Sequence, residues 1–375
     1  MTGIDRLAAS WADLSAIAAT SYVQLEAWHR ARITALATGP EDMLFAAVYQ
    51  EADCIAIVPL VRETLSIAGL PLRALSLPLH DHLPHADLLV RPGFTSKLSL
   101  SWLADALAEQ QPAFDALVLD SVLEDAAAAD LLRAEPPKLS VSEPIGISDA
   151  LPTSGYDGRL QGLSRNFRGN LRKARNKITD LGEAARATFA HTPDDLGPAF
   201  QSFLAVEASG WKGGAGSGTA IALEPRLRAF YGQLVERLGP TGACGINLLW
   251  LHEKPIAAQL SITVGARCFL LKIGYDEAHS HLAPGNLLLE KLLLRLDQHP
   301  RIAYVDLVSD APWHASWKPE IRQVFRHLVF RPTPRGLLGY AAWKSKPSVR
   351  LIRAELQSRW KDAAAAFKTF PWIGS

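Results

Sequence analysis

Residues 268–290 read CFLLKIGYDEAHSHLAPGNLLLE, and this stretch carries the clearest indication of the fold. The apolar run up to Gly274 predicts a strand, the polar residues after it predict a loop, and Pro284 with Gly285 opens a leucine-rich helix. No acidic residue occurs in that helix before Glu290, so its first backbone N–H groups are open to an anion such as a pyrophosphate. The alternative is an ordinary turn from a strand into a helix.

A hairpin, a helix and a buried-looking strand follow one another in each half of the chain. In the first half the hairpin spans residues 44–61 and the strand 114–121, and in the second half they span 246–264 and 302–309. This alternation predicts a mixed α/β fold of the α+β kind, and its repetition predicts a duplicated unit. Chance similarity between generic α/β segments is the alternative.

Turn-forming residues between residues 135 and 160 predict a boundary between two domains. We therefore expect an N-terminal domain over residues 1–150, a second domain over 151–340 and a basic tail over 341–375. In the tail, apolar residues recur every three or four positions and basic residues occupy the other faces, which predicts an amphipathic helix. Such a helix can bind an anionic membrane surface or cap the protein's own core.

Composition and charge exclude several classes of protein. The chain has 375 residues, of which 48% are hydrophobic and 21% charged, so we expect large cores and little disorder. The net charge of +1 provides no global field for nucleic acid, although residues 331–375 hold nine Lys and Arg against two acids. Three cysteines are too few for a disulfide scaffold and indicate a reducing compartment. Without a signal-peptide pattern or a spanning apolar run, we expect a cytoplasmic protein or one on the cytoplasmic face of a membrane.

A basic helix is predicted over residues 164–178. Arg168 and Arg172 share one face with two further arginines, and no acid occurs between Arg165 and Lys177. Guanidinium groups on one face suit the phosphates of a substrate or cofactor. A solvated face, or pairing with acids elsewhere in the fold, is the equal alternative.

Two further segments carry candidate chemical groups. Glu207 precedes the loop GWKGGAGSG at residues 210–218, whose five glycines in nine residues allow it to close on a ligand. Asp306 lies in an apolar run near a strand end, where α/β proteins often place functional acids, although hydrogen bonding within the sheet is the commoner role of such an acid. A cluster of three histidines and two aspartates at residues 80–87 lacks a typical zinc spacing, so we expect no metal.

Four segments together resemble a known family. They are FLAVEASGWKG at 203–213, LKIGYDE at 271–277, APGNLL at 283–288 and DAPWH at 310–314, with Trp317 following. In this combination they resemble the CelD/BcsL-type, cellulose-biosynthesis-associated branch of the GNAT acyltransferases, which is similar to the FemAB aminoacyltransferases. The resemblance implies two tandem GNAT-like domains, the first of them degenerate, followed by the helical tail.

The resemblance also implies a reaction, the transfer of an acyl group from acyl-CoA as co-substrate to an amine. It places the phosphate contact at the helix start, at Pro284, Gly285, Asn286 and Leu287, although Pro284 and a single glycine depart from the family's glycine-rich loop. The chemistry needs a base, a group that stabilises negative charge and a proton donor for the thiolate. The candidates for these catalytic roles are Glu207, Asp276 and Asp306 as base, Lys272 and Lys318 for charge, and Tyr275 as donor. The candidates for substrate binding are Arg168, Arg172, Trp211, Lys212, Trp313 and His314.

The leading hypothesis is an N-acyltransferase whose acceptor is an amine of an envelope-, lipid- or polysaccharide-associated molecule. The basic, tryptophan-bearing tail favours a membrane-proximal acceptor such as a long-chain amino lipid. One alternative is a Fem-like enzyme that uses aminoacyl-tRNA, which the near-zero net charge disfavours. The other is a non-catalytic assembly factor that keeps the fold and has lost the CoA site.

Overall fold

A computed structural model describes residues 3–36, 43–80, 84–94, 98–110, 114–182, 185–210, 212–214 and 216–345. Its helices are α1 (Gly3–Ala18), α2 (Glu26–Ala35), α3 (Leu100–Gln110), α4 (Ala127–Ala134), α5 (Tyr156–Gly162), α6 (Arg165–Asp180), α7 (Pro193–Ser209), α8 (Pro225–Leu238), α9 (Pro284–Asp297) and α10 (Pro334–Lys344). Its strands are β1 (Met43–Gln50), β2 (Asp53–Ile67), β3 (Leu70–Ser76), β4 (Leu89–Val90), β5 (Ala116–Leu123), β6 (Ser140–Pro152), β7 (Ala185–Ala190), β8 (Cys244–Leu251), β9 (Lys254–Val264), β10 (Arg267–Tyr275), β11 (Tyr304–Asp306) and β12 (Glu320–Phe330).

The strands form one continuous mixed sheet, which confirms the mixed α/β fold class. Their order across the sheet is β1-β2-β3-β5-β12-β6-β11-β10-β9-β8-β7, with β4 paired to β2. The two expected hairpins are present as the antiparallel pairs β1–β2 and β8–β9. Two pairs are parallel, β3–β5 and β10–β11, and each is joined over three residues of each strand.

The two halves of the sheet repeat one topology. In the first half, β2 pairs antiparallel with β3 and β3 pairs parallel with β5, and in the second half β9, β10 and β11 repeat this arrangement. A connection containing helix α3 leads into β5, and one containing α9 leads into β11. The pattern of hairpin, helix and strand expected from the sequence is therefore a repeated structural unit.

The two halves exchange their final strands. Strand β6 follows β5 in the chain but pairs with β11 of the second half, whereas β12 follows β11 and pairs with β5 of the first half. The exchanged strands also pair with each other, so β12 and β6 form the centre of the sheet. Each half thus depends on a strand that the other half supplies.

Helices also cross between the halves. Tyr22 and Trp28, at the beginning of the chain, lie in the same buried cluster as Phe203 of α7 and Phe230 of α8. At the other end, Trp343 of α10 is buried in a cluster with residues of β3, β5 and β12. These apolar contacts join the beginning of the chain to helices of the second half, and α10 to the sheet of the first half.

The strands of the second half are buried on both faces. Residues 256–262 of β9 are all buried. On one face, Leu260 packs in the cluster that includes α7 and α8, and on the other, Ala257 packs with Leu287 and Leu288 of α9. This two-sided burial explains why β9 is a nearly continuous apolar run rather than an alternating one.

Some expectations concern residues that the structure does not describe. Most of the expected tail, residues 346–375, lies outside the described residues, and residues 341–344 belong to the end of α10. Asp81 and His82 of the histidine-rich segment are also outside them. Among the described residues there is no group of three or more His, Cys, Asp or Glu that could hold a metal ion. None of the helices in the described ranges is long and apolar enough to cross a membrane.

Candidate active site

Strands β10 and β11 separate after a short parallel contact. Residues 267–269 pair with residues 304–306, after which β10 continues to Tyr275 paired with β9 alone. The β9–β10 register also shifts between Leu270 and Lys272, which places a bulge at this point of β10. Bulges bend a strand and re-aim its side chains, and the separation leaves β10 with an open edge toward the segment after β11.

A cavity of about 180 Å³ lies in the opening between these segments. One wall is residues 270–273 of β10, and the other comes from residues 307–314 after β11. The charged or titratable side chains that line it are Lys212, Lys272 and His314. An apolar cavity with a few convergent polar groups is the usual form of a small-molecule site.

Helix α9 begins beside the end of β10, with its N-terminus uncapped. Ala283 precedes it in the left-handed conformation, with φ 47° and ψ 49°, and no side chain caps the first turn, which contains no acid. The Asn286 side chain is engaged elsewhere, since its Oδ1 accepts a hydrogen bond from Trp317 Nε1 at 3.1 Å. A Cβ added to Gly285 would lie 3.7 Å from the Tyr275 ring, so the helix start adjoins the last residue of β10. The first-turn N–H groups and the positive dipole end suit an anion.

The basic helix α6 packs beside α9. Ser164 caps it by accepting the Phe167 N–H at 3.2 Å, and the Phe167 ring meets Trp317 edge-on at 5.2 Å. Arg172 is exposed, whereas Arg168 Nη1 donates to the Gln161 carbonyl at 3.0 Å. Two guanidinium groups of the predicted basic face are therefore engaged within the fold, because Arg168 holds the end of α5 and Arg175 lies 3.8 Å from the buried Glu290 of α9.

Glu207 holds the glycine-rich loop. Its buried carboxylate accepts the Ile221 N–H at 2.8 Å through Oε2 and lies 3.3 Å from Lys212 Nζ through Oε1. The loop folds back tightly onto α7, because a Cβ at Gly213 would be 2.1 Å from the Ala208 carbonyl oxygen. These contacts place the Lys212 ammonium at the cavity, where it also lies 3.5 Å from the Ile273 carbonyl oxygen.

Gly274 allows α7 to approach the strand. A Cβ at this position would lie 3.0 Å from Glu207 Cα and 3.4 Å from Glu207 Cβ. Few Cβ atoms make contacts this close, so any residue other than glycine would require α7 and β10 to move apart by a few tenths of an ångström.

Lys272 is a half-buried cation in the cavity wall. Burial, and next the charge of Lys212, lowers the pKa of Lys272 to about 8, while the charge of Glu207 opposes the change. The Lys272 Nζ lies 6.0 Å from the centroid of the Tyr231 ring. The Tyr231 hydroxyl is buried and has no hydrogen-bond partner among the residues that the structure describes. Burial, together with the Glu207 charge, raises the pKa of Tyr231. Lysines with lowered pKa values are frequent at reactive sites.

His314 forms a buried pair with Asp149, a residue that sequence reasoning missed. The distance between His314 Nδ1 and Asp149 Oδ2 is 2.8 Å, and both side chains are buried. Asp149 lies in the exchanged strand β6, 165 residues earlier in the chain. The sequence marks Asp149 only as an acid next to apolar residues. Nothing in the sequence connects Asp149 with His314.

Of three further predicted residues, Trp313 lines the cavity, whereas Tyr275 and Lys318 are not among its lining residues. The centroid of the Trp313 ring lies 4.2 Å from that of His314. Tyr275, at the end of β10, is 44% exposed, and burial of its hydroxyl raises its pKa. Lys318 is exposed and follows Trp317 with φ 49°. Trp211 lies outside the described residues.

The other two predicted acids are engaged in ion pairs away from the cavity lining. Asp276 lies 2.6 Å from Lys254 Nζ and caps the following turn by accepting the Ala278 N–H at 3.1 Å. Asp306 is fully buried, pairs with Arg322 and accepts the Val308 N–H at 2.9 Å.

The Asp306–Arg322 pair belongs to a ring of four charges at the junction of the halves. Arg267 lies 3.9 Å from Asp306 and 2.8 Å from Asp125, and Arg322 lies 3.4 Å from Asp125. Two acids and two arginines thus neutralise one another here. These contacts give Asp306 a structural role, which is the alternative to a catalytic one.

Comparison with known proteins agrees with this geometry. Residues 165–318 match the family model described as an acetyltransferase (GNAT) domain. The matched range contains α6, the glycine-rich loop, the separated strands β10 and β11, and α9. A comparison with curated protein sequences gives no match.

Solved structures share the fold over most of the chain. FemX is similar with a TM-score of 0.58 and 12% identity, covering 88% of this chain and 97% of its own. L-PGS from Bacillus licheniformis has a TM-score of 0.50 and 10% identity, covering 90% of this chain and 95% of its own. The C-terminal domain of a putative lysylphosphatidylglycerol synthetase from Agrobacterium fabrum has a TM-score of 0.50 and 8% identity, covering 91% and 96%. At these identities the likeness establishes the fold alone, and the acetyltransferase (GNAT) family model covers residues 165–318 of it.

Proposed function

We propose that this protein is an N-acyltransferase that moves an acyl group from acyl-CoA to an amine. The observations that carry the proposal are the cavity between the separated strands β10 and β11 and the uncapped start of α9, which adjoins Tyr275 at the end of β10. The open edge of β10 offers peptide groups to the amide-bearing arm of CoA. The α9 start and the exposed Arg172 offer a positive environment to its phosphates.

In this reaction the bond between the amine nitrogen and the thioester carbon forms, and the carbon–sulfur bond breaks. Negative charge develops first on the carbonyl oxygen and then on the sulfur, and the amine loses a proton. We assign charge stabilisation to Lys272 and Lys212, since both line the cavity. Glu207 then acts by holding Lys212, because its two oxygens are engaged by Lys212 and the Ile221 N–H.

Binding of CoA tests the proposal directly. Isothermal titration calorimetry with CoA on the full chain should show one site, and Asn286→Asp should weaken binding at least tenfold, about 1.4 kcal/mol. The substitution keeps an oxygen for Trp317 Nε1 and adds a negative charge where the diphosphate would lie. Gln298→Glu adds the same charge beyond the opposite end of the same helix, so its CoA affinity should match the wild type. No binding by the wild-type chain would reject the proposal.

The proposal also covers the acceptor amine. We place the protein with the CelD/BcsL-like branch and infer that the acceptor amine belongs to an envelope, lipid or polysaccharide molecule. The basic tail at residues 346–375 favours a long-chain amino lipid. Thiol release from acyl-CoA should then be faster with a long-chain amine than with a short one. Co-sedimentation with anionic vesicles should require the tail. If removing the tail lowers neither the transfer rate nor the vesicle binding, the proposed membrane contact is contradicted.

A second candidate is a Fem-like transferase that takes an aminoacyl group from tRNA. The exposed basic residues of α6 favour it, as does the shared fold with FemX. Binding of aminoacyl-tRNA that weakens steeply with salt, combined with no binding of CoA, would favour this candidate. Binding of neither donor would favour a non-catalytic assembly factor.

A further inference from the structure

The cavity wall formed by residues 307–314 carries the His314–Asp149 pair described above. We infer that His314 is the base that takes the proton from the acceptor amine, and that Asp149 is the residue that positions it. The inference rests on the proposed transfer and adds the residue that performs its proton step.

The geometry selects one tautomer of the imidazole. An ionised Asp149 can only accept a hydrogen bond, so the 2.8 Å contact places the proton of His314 on Nδ1 and leaves the lone pair on Nε2. The backbone fixes Asp149 in turn. Its N–H donates to the Ser309 carbonyl at 3.0 Å, and its carbonyl accepts the Leu307 N–H at 2.9 Å.

The charges around the imidazole allow it to be neutral and then to accept a proton. Burial lowers the pKa of His314, while the hydrogen bond and charge of Asp149, the charge of Asp310 and a hydrogen bond with the Ser309 backbone oppose that change. A neutral imidazole at neutral pH is the form that a general base requires.

The proton step balances without a further reagent. When the amine nitrogen bonds to the thioester carbon, its proton passes to His314 Nε2 and the carbon–sulfur bond breaks. The imidazolium, stabilised by Asp149, then returns this proton to the thiolate. His314 is neutral again, and the products are an amide and a free thiol.

The other acids considered for this step are less suitable. Glu207 is engaged by Lys212 and a backbone N–H, Asp276 pairs with Lys254, and Asp306 lies in the buried ring of charges. His314 is distinguished from all three because it lines the cavity.

The first experiment needs no substrate. Nitrogen-15 spectra of the histidine rings, assigned through His314→Gln, should show His314 with its proton on Nδ1 and a pKa below the ordinary value of 6.5. In Asp149→Asn the pKa of His314 should fall further, since the carboxylate raises it. A proton on Nε2, or a pKa unchanged by Asp149→Asn, would overturn the inference.

The second experiment measures acyl transfer to an amine that the wild type uses. His314→Gln should lower kcat/KM by about 10²–10⁴-fold and abolish the acidic limb of its pH profile, while CoA affinity stays unchanged and circular dichroism still shows the folded chain. Asp149→Asn should lower kcat/KM at least tenfold and shift that limb, which a purely structural role would not do. The exposed residue His299 provides the matched control, because His299→Gln should behave as wild type.

The outcomes separate the two proposals. A wild-type chain that neither binds CoA nor transfers an acyl group refutes the proposed function. A wild-type chain that transfers normally, with His314→Gln within threefold of it and the same pH profile, overturns only the assignment of the base.

Discussion

Lys272→Met should make the protein more stable and less active. Lysine at this position is half-buried in the cavity wall, where burial and Lys212 lower its pKa from 10.5 to about 8. Holding the charge there therefore costs folding free energy, and we propose that this cost is retained for the charge stabilisation assigned to Lys272. Methionine keeps most of the apolar chain of lysine and removes the charge.

The size of the effect follows from the two pKa values. The difference between 10.5 and about 8 corresponds to an upper limit of about 3 kcal/mol, which water at the cavity mouth reduces. We expect Lys272→Met to raise the free energy of unfolding by about 1–3 kcal/mol at pH 7. Below pH 8 both the folded and the unfolded chain hold the proton, so the full cost is present. Between about pH 8 and pH 10.5 the folded chain loses its proton first, so the advantage of the variant disappears over this range.

Urea unfolding at several pH values between 7 and 10 measures both parts of this prediction. Lys138→Met, at an exposed lysine before β6, is the control and should change the free energy of unfolding by less than about 0.5 kcal/mol at every pH. A Lys272→Met variant that is no more stable at pH 7, or whose gain does not shrink as the pH rises, would refute the claim that this ammonium is desolvated. The same variant should lower the rate of acyl transfer.

Three further predictions concern the residues around the cavity. Asp306→Ala should lower the free energy of unfolding by about 3–5 kcal/mol in urea, because it leaves Arg322 buried without its closest partner. Gly274→Ala should cost about 1–3 kcal/mol by the same measurement, because its Cβ would lie 3.0 Å from Glu207 Cα, and a neutral effect would show that α7 can move away from β10. Glu207→Gln should lower the pKa of Lys272 below about 8, measured from the pH dependence of its reductive methylation, and an unchanged pKa would show that the Glu207 side chain does not act on Lys272.

The exchange of final strands affects how the site is built. Strand β6 supplies Asp149, the partner of His314, to a cavity whose lining residues all come from the second half, and β6 is held there by β11 and β12. An isolated second half would therefore lack both a central strand and the partner of His314. We expect the activity to depend on both halves of the chain, even if the first half binds no donor.

Local patterns in the sequence determined the elements of this fold. Apolar residues at helical spacing and a serine cap specify α6, and the proline and glycine before a leucine run specify the start of α9, because these signals act over a few residues. The two hairpins and their repetition were predictable for the same reason. The candidate cavity residues Lys212, Lys272 and His314 were likewise recognisable from their segments.

Long-range packing decided what those residues do. The pairing of β6 with β11, the Asp149–His314 contact across 165 residues and the ring around Asp306 join segments that no local pattern connects. The lowered pKa of Lys272 arises from burial and neighbouring charges, and these exist only after the chain has folded. Sequence therefore determined which chemical groups are present, and the tertiary structure decided which of them share a cavity, because proximity and desolvation are properties of the folded chain.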